Sequence, residues 1–271
     1  MIQNLYRFIP FLFLLSLLGC QNDSQILSQQ IKKKENQKKE VDRETKRQDS
    51  INLAIEELAK KIITNRNAVE KLTEFGKTNP ETIVKIFTNY GDLKVRLYKN
   101  TPLHRANFVM LAKEKFYDNT LFYRIIDDFM IQGGNSDDNE INGKLDKIGR
   151  YRIPNEINKK NIHKLGALAM AVSPEEQSLG KKSSSINFYI VEGQKIPKYY
   201  FDQKEAQGKT FTNLQKETYS KIKGTPHLDG DYTVFGEIIS GFQVLSKISK
   251  VKVDKFNWPV KKVIIDSIRA Y

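Results

Sequence analysis

The sequence predicts a mainly β domain, closed or nearly closed into a barrel, behind a stalk that is helical in part and disordered in part. Three observations carry this reading. Between Thr82 and Tyr271 many short apolar stretches alternate with polar side chains or end at turn residues, and few helical stripes interrupt them. Residues 21–50 consist largely of Gln, Lys, Glu, Asp and Asn, too polar to bury the surface that would offset ordering entropy. From Ile51 to Leu72, apolar side chains recur at spacings of three and four, as on one helix face.

Taken in order, the chain opens with Arg7 as the one basic residue ahead of an apolar run from Phe8 to Leu18. That run has the length of a signal-peptide core and is shorter than the about 20 residues a spanning helix needs. Leu17-Leu18-Gly19-Cys20 resembles a lipobox, so residues 1–19 are expected to be a lipoprotein signal peptide and Cys20 the lipidated first residue of the mature chain. Residues 20–50 are expected to be a charged, disordered tether; as a flexible coil it would span roughly 30 Å. The stripe of Ile51, Ile55, Leu58, Ile62, Val69 and Leu72, broken once at Asn65, predicts an amphipathic helix over 51–78, ended by Asn79-Pro80. Two readings of this helix stay open: it packs on the following domain, or it forms a short coiled coil.

The folded domain is expected over 82–271. Ile83 to Thr88 and Leu93 to Tyr98 flank Asn89-Tyr90-Gly91-Asp92 and read as a hairpin, with Leu93, Val95 and Leu97 on a buried face. Thr101-Pro102 supplies an N-cap and a first-turn proline for a helix through Asn107, Phe108, Leu111 and Ala112. Further strands are expected at 121–126, 129–132, 167–171, 188–191, 232–238 and 260–268, with a helix over 242–249.

Lys and Arg number 45 against 32 Asp and Glu, a net charge of +13. The lysines are scattered, with no Arg-rich helix, zinc-finger spacing or aromatic RNA-binding strand, so nucleic acid is not an expected partner. An anionic bilayer is compatible with the same charge. Cys20 is the one cysteine, and the domain must hold together without disulfides. His104, His163 and His227 show no short ligand spacing, no G-x-S-x-G occurs, and neither a metal nor a hydrolytic triad is expected.

The run from Leu121 to Asn135, LFYRIIDDFMIQGGN, is similar to the cyclophilin signature F-H-R-I-I-P-G-F-M-x-Q-G-G. Other stretches follow in family order: Thr101-Pro102 with Ala106-Asn107-Phe108, Gly166 to Ala171, Asn187 to Ile190, and His227 to Gly236. On these residues the segment from Ile83 to Ile268 resembles a cyclophilin-type peptidyl-prolyl cis/trans isomerase. The resemblance implies a closed eight-stranded antiparallel barrel capped by two helices and a proline-containing polypeptide as substrate. It also implies a catalytic Arg124, with a substrate groove built from Phe129, Met130, Gln132, Ala171, Asn187, Tyr189, His227, Leu228 and Tyr232, and no cofactor.

Chemistry agrees with these residue types. The bond before proline has a barrier of about 18–20 kcal/mol and nearly balanced isomers, so a catalyst needs only to weaken amide resonance and hold a twisted geometry. Phe129, Met130, Tyr189 and Leu228 offer an apolar seat for the ring, and the Arg124 guanidinium a donor to the prolyl nitrogen or a neighbouring carbonyl. By alternation, Arg124 is expected on the face of Phe122 and Ile126. Gly133-Gly134 reads as a tight turn with close backbone approach, not a phosphate cradle.

Several positions depart from the family pattern. Tyr123 replaces His, and Asp127-Asp128 replace Pro-Gly, on the outer face or in a turn. Asn187 replaces a longer Gln, Tyr189 a Phe whose ring carries no hydroxyl, and Tyr232 a His. Residues 192–226, with a helical centre over 211–223, form an insertion that is either a substrate-selecting lid or an inert surface loop.

The function expected is isomerisation of Xaa-Pro bonds in envelope or exported proteins by a lipid-anchored monomer of the bacterial cell envelope, with a stalk-helix dimer as the alternative state. Gln21 after Cys20 favours the outer membrane. The rival function is a catalytically weak proline-peptide-binding module or chaperone. His227 stands where the family's cyclosporin-binding members carry Trp, so weak inhibition is expected; a drug titration checks it, and tight binding would contradict the assignment of that position.

Overall fold

The computed structural model of the protein describes residues 9–136 and 140–271, with side chains from residue 24 onward. Residues 1–8 of the 1–19 leader, and the side chains of residues 9–23 with Cys20 among them, lie outside the described residues. The chain divides into two units, 1–61 and 62–271.

Helix α1 (Ile9–Lys61) occupies the first unit. The expected coil over 20–50 is helical here, and a local cause is visible. From residue 21 to 61 the sequence holds neither Gly nor Pro and is dense in Lys, Glu and Gln, which lose little rotamer freedom in a helix. As a helix, residues 21–50 rise about 45 Å instead of the coil's roughly 30 Å. Every described side chain from 24 to 61 is exposed, Ile51, Ile55 and Leu58 included.

The single helix expected over 51–78 is also corrected, because it breaks at 62–67 and resumes as α2 (Ala68–Thr78). Asn side chains take over backbone partners at the break, as short polar side chains do in competition with a helix. Asn67 Oδ1 accepts the Thr64 N–H and Asn65 Oδ1 the Arg152 N–H, while Ile63 N–H reaches the Ile148 carbonyl. Leu72 of α2 is fully buried in the core of the second unit.

The rest of the chain runs β1 (Ile83–Thr88), β2 (Gly91–Leu97), α3 (Pro102–Lys113), β3 (Thr120–Ile126), β4 (Met130–Asn135), α4 (Glu140–Ile148), β5 (Arg152–Ile153), β6 (Ala167–Met170), α5 (Pro174–Leu179), β7 (Ser183–Ser184), β8 (Phe188–Val191), α6 (Tyr200–Ala206), α7 (Asn213–Lys221), β9 (Val234–Ser240), α8 (Phe242–Ser249) and β10 (Ile264–Ala270). Strands β1, β10, β3, β4, β8, β6, β9 and β2 pair in that order into a closed antiparallel barrel, which leaves no edge to protect. β5 and β7 form a separate two-stranded sheet.

The barrel interior is aromatic. Phe108 of α3, Tyr117, Phe122 of β3 and Phe188 of β8 meet with ring centroids 5.1–5.8 Å apart, mostly edge to face. Helices α3 and α8 bury Leu111, Val244, Leu245 and Ile248 in the same core. Thr101 stands at the N-terminus of α3 but makes no capping hydrogen bond. The cap comes from far along the chain: Glu156 accepts the N–H groups of Leu103 and His104 at 3.0 and 2.9 Å, placing a carboxylate at the positive end of the helix dipole.

Gly133-Gly134 lie inside β4 and not in a turn, because the strand continues to Asn135. Close approach is what they permit: a Cβ on Gly134, whose φ is +101°, would stand 2.1 Å from the Ile186 carbonyl oxygen. Gly134→Ala is therefore expected to destabilise the fold by about 2–4 kcal/mol, read as a lower urea midpoint at unchanged slope.

Candidate active site

Alternation along the paired strands builds the site. In β6 and β8, Leu168, Met170, Phe188 and Ile190 enter the barrel core, which turns Ala167, Ala169, Tyr189 and Val191 to the other face. Register then aligns a row across four strands: Arg124 opposite Gln132, Gln132 opposite Tyr189, and Tyr189 opposite Ala169. Strands stand about 4.8 Å apart, so these side chains are neighbours although 45 residues separate Arg124 from Ala169 in the chain.

The expected face of Arg124 is half corrected by β3. Its pairing shifts between Phe122 and Arg124, so Tyr123 is an extra residue in the ladder. Phe122 is thereby buried inside the barrel, while Arg124 is exposed on the groove side and Ile126 packs against the groove cluster. A strict period of two would have sent Phe122 and Arg124 to one face.

Arg124, Phe129, Met130, Gln132, Ala171, Asn187, Tyr189, Leu228 and Tyr232 line one cavity of about 390 Å³. His227 is not in its lining; it stacks on Phe129 with centroids 5.5 Å apart at 24°. Burial first, with the Lys209 charge adding to it, holds the His227 imidazole below its ordinary pKa. Arg152, Val172, Ser173, Pro174 and Ser184, which the sequence does not mark, complete the wall. Arg152 and Ser184 come from the β5–β7 pair, whose two-residue strands carry no periodic signal, and Ser173 and Pro174 from the start of α5.

The floor is apolar and the rim polar. Met130 and Tyr189 are buried, and Tyr232 meets Tyr189 edge to face at 5.9 Å. Arg124 donates to Gln132 Oε1 at a long 3.5 Å and makes no ion pair among the described residues, leaving its charge directed at the groove. The Asn187 main chain is locked, its N–H to Ser184 Oγ and its carbonyl to Ala171 N–H, yet its buried Oδ1 has no partner among the described residues. A buried acceptor left open is costly unless something fills it, and a peptide N–H in the groove has the right chemistry.

Two positions set aside in the sequence turn out to support the floor. Gln132 Nε2 donates to the Tyr123 hydroxyl at 2.5 Å, which fixes the amide so that Oε1 faces Arg124. Burial pushes Tyr123 up to about 12, so it stays a neutral phenol across the working range. The Tyr189 hydroxyl meets His163 Nε2 at 2.9 Å, and His163 is fully buried. No short-range pattern marks His163, because its partners lie 26 and 66 residues away.

Asp127, Asp128 and Glu192 form an acidic cluster beside the groove. Lys250 and Lys223 already pair with it, and Asp128 N–H occupies Glu192 Oε2, so nothing there calls for a cation. Among the described residues no helix is long and apolar enough to cross a membrane.

Tyr123→Phe removes the acceptor that orients Gln132. The expected outcome is about a 3- to 10-fold weaker dissociation constant for a proline tetrapeptide, the size of one net hydrogen bond, with unfolding nearly unchanged; a fluorescence titration measures it.

The family profile for cyclophilin type peptidyl-prolyl cis-trans isomerase/CLD matches residues 83–270. A Staphylococcus aureus protein provisionally named peptidyl-prolyl cis-trans isomerase is 34% identical over 189 residues, covering 69% of this chain and 91% of the relative. A Streptococcus pyogenes protein, provisionally named bifunctional phosphatase/peptidyl-prolyl cis-trans isomerase, is 33% identical over 227 residues, 83% of this chain; those residues span only 45% of that longer protein. Among solved structures, a Cryptosporidium parvum cyclophilin determined in the presence of the dipeptide Ala-Pro aligns with a TM-score of 0.49 at 26% identity, over 70% of this chain and 98% of that one. The barrel, the ordered groove and the match over residues 83–270 together mean that this chain belongs to the cyclophilin-type peptidyl-prolyl cis-trans isomerase family.

Proposed function

We propose that the protein catalyses cis/trans isomerisation of Xaa-Pro bonds in exported or envelope polypeptides, with Arg124 as the catalytic residue. The observation that carries this is the row of Arg124, Gln132 and Tyr189, which sets a guanidinium with no ion pair among the described residues beside an apolar floor wide enough for a prolyl ring.

Rotation about the bond localises the nitrogen lone pair as resonance is lost. A guanidinium N–H aimed at that nitrogen gains strength only in the twisted state, which lowers the barrier without tightening the ground state. Met130, Leu228, Phe129 and Tyr189 exclude water around the ring, and Gln132 with Asn187 takes the flanking peptide groups. The reaction breaks no covalent bond, so this site requires neither a nucleophile nor proton transfer.

Arg124→Ala is expected to lower kcat/KM for an Xaa-Pro peptide by about 100- to 1,000-fold while peptide binding falls far less. Protease-coupled or NMR-exchange assays check this. Saturable binding by the unmodified protein without acceleration would instead favour the rival reading, a proline-peptide-binding module, which the shorter Asn187 and the hydroxyl of Tyr189 keep in view.

Placement in the envelope rests on the lipobox-like Leu17-Leu18-Gly19-Cys20, with lipid on Cys20 and, from Gln21, sorting to the outer membrane. Cys20→Ser is expected to abolish metabolic labelling by palmitate and to release the protein from membranes. Labelling that survives the substitution would remove the anchor from this account.

A further inference from the structure

The Tyr189 hydroxyl is the inner end of a buried hydrogen-bond chain that leaves the groove and ends in the insertion. His163 Nε2 lies 2.9 Å from that hydroxyl, and His163 Nδ1 lies 2.7 Å from Asp229 Oδ1. The same Oδ1 accepts the His163 main-chain N–H at 2.9 Å. Asp229 Oδ2 accepts from the Tyr219 hydroxyl at 2.9 Å and from Gln215 Nε2 at 2.8 Å. His163, Asp229, Gln215 and Tyr219 are all buried.

Donor and acceptor roles follow from chemistry. Burial alone would raise Asp229, but the hydrogen bonds it accepts from the His163 ring and main-chain N–H and from Gln215 bring it below the ordinary range, so it is a carboxylate that only accepts. His163 Nδ1 is therefore a donor, and the tautomer that carries its proton there leaves Nε2 as acceptor. Tyr189, held protonated by burial, is the donor to it. Its hydroxyl hydrogen is thus turned away from the groove, and the ring presents an apolar face to a substrate. Without that partner, the phenol would direct an unsatisfied polar group at the prolyl ring.

The outer end is equally defined. Gln215 is the third residue of a capping box at the start of α7: Thr212 Oγ1 accepts the Gln215 N–H, and Gln215 Oε1 accepts the Thr212 N–H. With Oε1 so occupied, Nε2 points to Asp229. The insertion's returning segment closes the arrangement, since Thr225 N–H donates to the His163 carbonyl and a Cβ on Gly224 would stand 2.3 Å from the Tyr219 ring.

We infer that His163 and Asp229 are positioning residues through which helix α7 of the insertion governs how well the groove accepts a prolyl ring, by holding the Tyr189 hydroxyl turned out of it. This rests on the isomerase reading of the groove. It makes the insertion neither lid nor inert loop: it acts from behind the floor.

The test is a double-mutant cycle in the full chain with Tyr219→Phe, Tyr189→Phe and the pair together, reading the dissociation constant of a proline tetrapeptide and, separately, its exchange rate at saturation. Tyr219→Phe is expected to weaken binding about 3- to 10-fold when Tyr189 is present and less than about 2-fold in the Tyr189→Phe background, with the saturated rate little changed. Equal losses in both backgrounds would mean that Tyr219 merely supports the insertion's fold, and no loss in either would mean that the chain does not reach the groove; both overturn the inference. Should Tyr219→Phe not fold, Gln215→Met tests the other donor in the same cycle. Coupled binding without turnover would sink the isomerase reading and leave the positioning role standing.

Discussion

Everything in this groove depends on one constraint: in a closed barrel, a strand that sends one side chain inward must send the next outward. Phe188 and Ile190 are needed to fill the interior against Phe108 and Phe122, so Tyr189 has no choice of face. The same rule applied to β4 buries Ile131 and turns Met130 and Gln132 outward. The groove is the reverse side of the core, and its precision is inherited from core packing. A one-residue slip in any of these strands would exchange the two sets completely.

The extra residue in β3 is the planned exception. By absorbing Tyr123, the ladder lets Phe122 stay in the core while Arg124 faces the groove. The displaced residue is not idle, since its hydroxyl anchors Gln132. Bulges next to functional sites commonly re-aim a side chain in this way. Here the guanidinium, the amide and the phenol form one connected set, in which moving any member re-aims the next.

Polar groups behind the floor follow the opposite logic from those in front of it. Behind, every lone pair of the Asp229 carboxylate is taken, by main chain, imidazole, amide and phenol. In front, among the described residues, the Arg124 charge meets no carboxylate and the Asn187 oxygen has no partner. A fully satisfied network is rigid, and an incompletely satisfied one has capacity for a ligand. That contrast separates support from binding within a few ångströms.

How much of this was legible in the chain differs by the range of the interaction involved. The short strands, the helix opened by Pro102, the helical centre of the insertion and the ordered run from Leu121 to Asn135 are local patterns, and the sequence by itself determined them together with the barrel class, while the groove's residues were what the resemblance of those runs to the family implies. Neither the cap on α3 nor the face of Phe122 was local: Glu156 reaches Leu103 across 53 residues, and the bulge at Tyr123 exists only relative to β4. Residues 21–50 depart from the expected coil for the converse reason: low hydrophobicity argues for coil, while the absence of Gly and Pro and the density of Lys, Glu and Gln favour helix. Only the tertiary structure decided what His163, Tyr219 and Gln215 do. A hydrogen-bond partner is chosen by three-dimensional proximity among buried groups that must be satisfied, and no spacing along the chain encodes that choice.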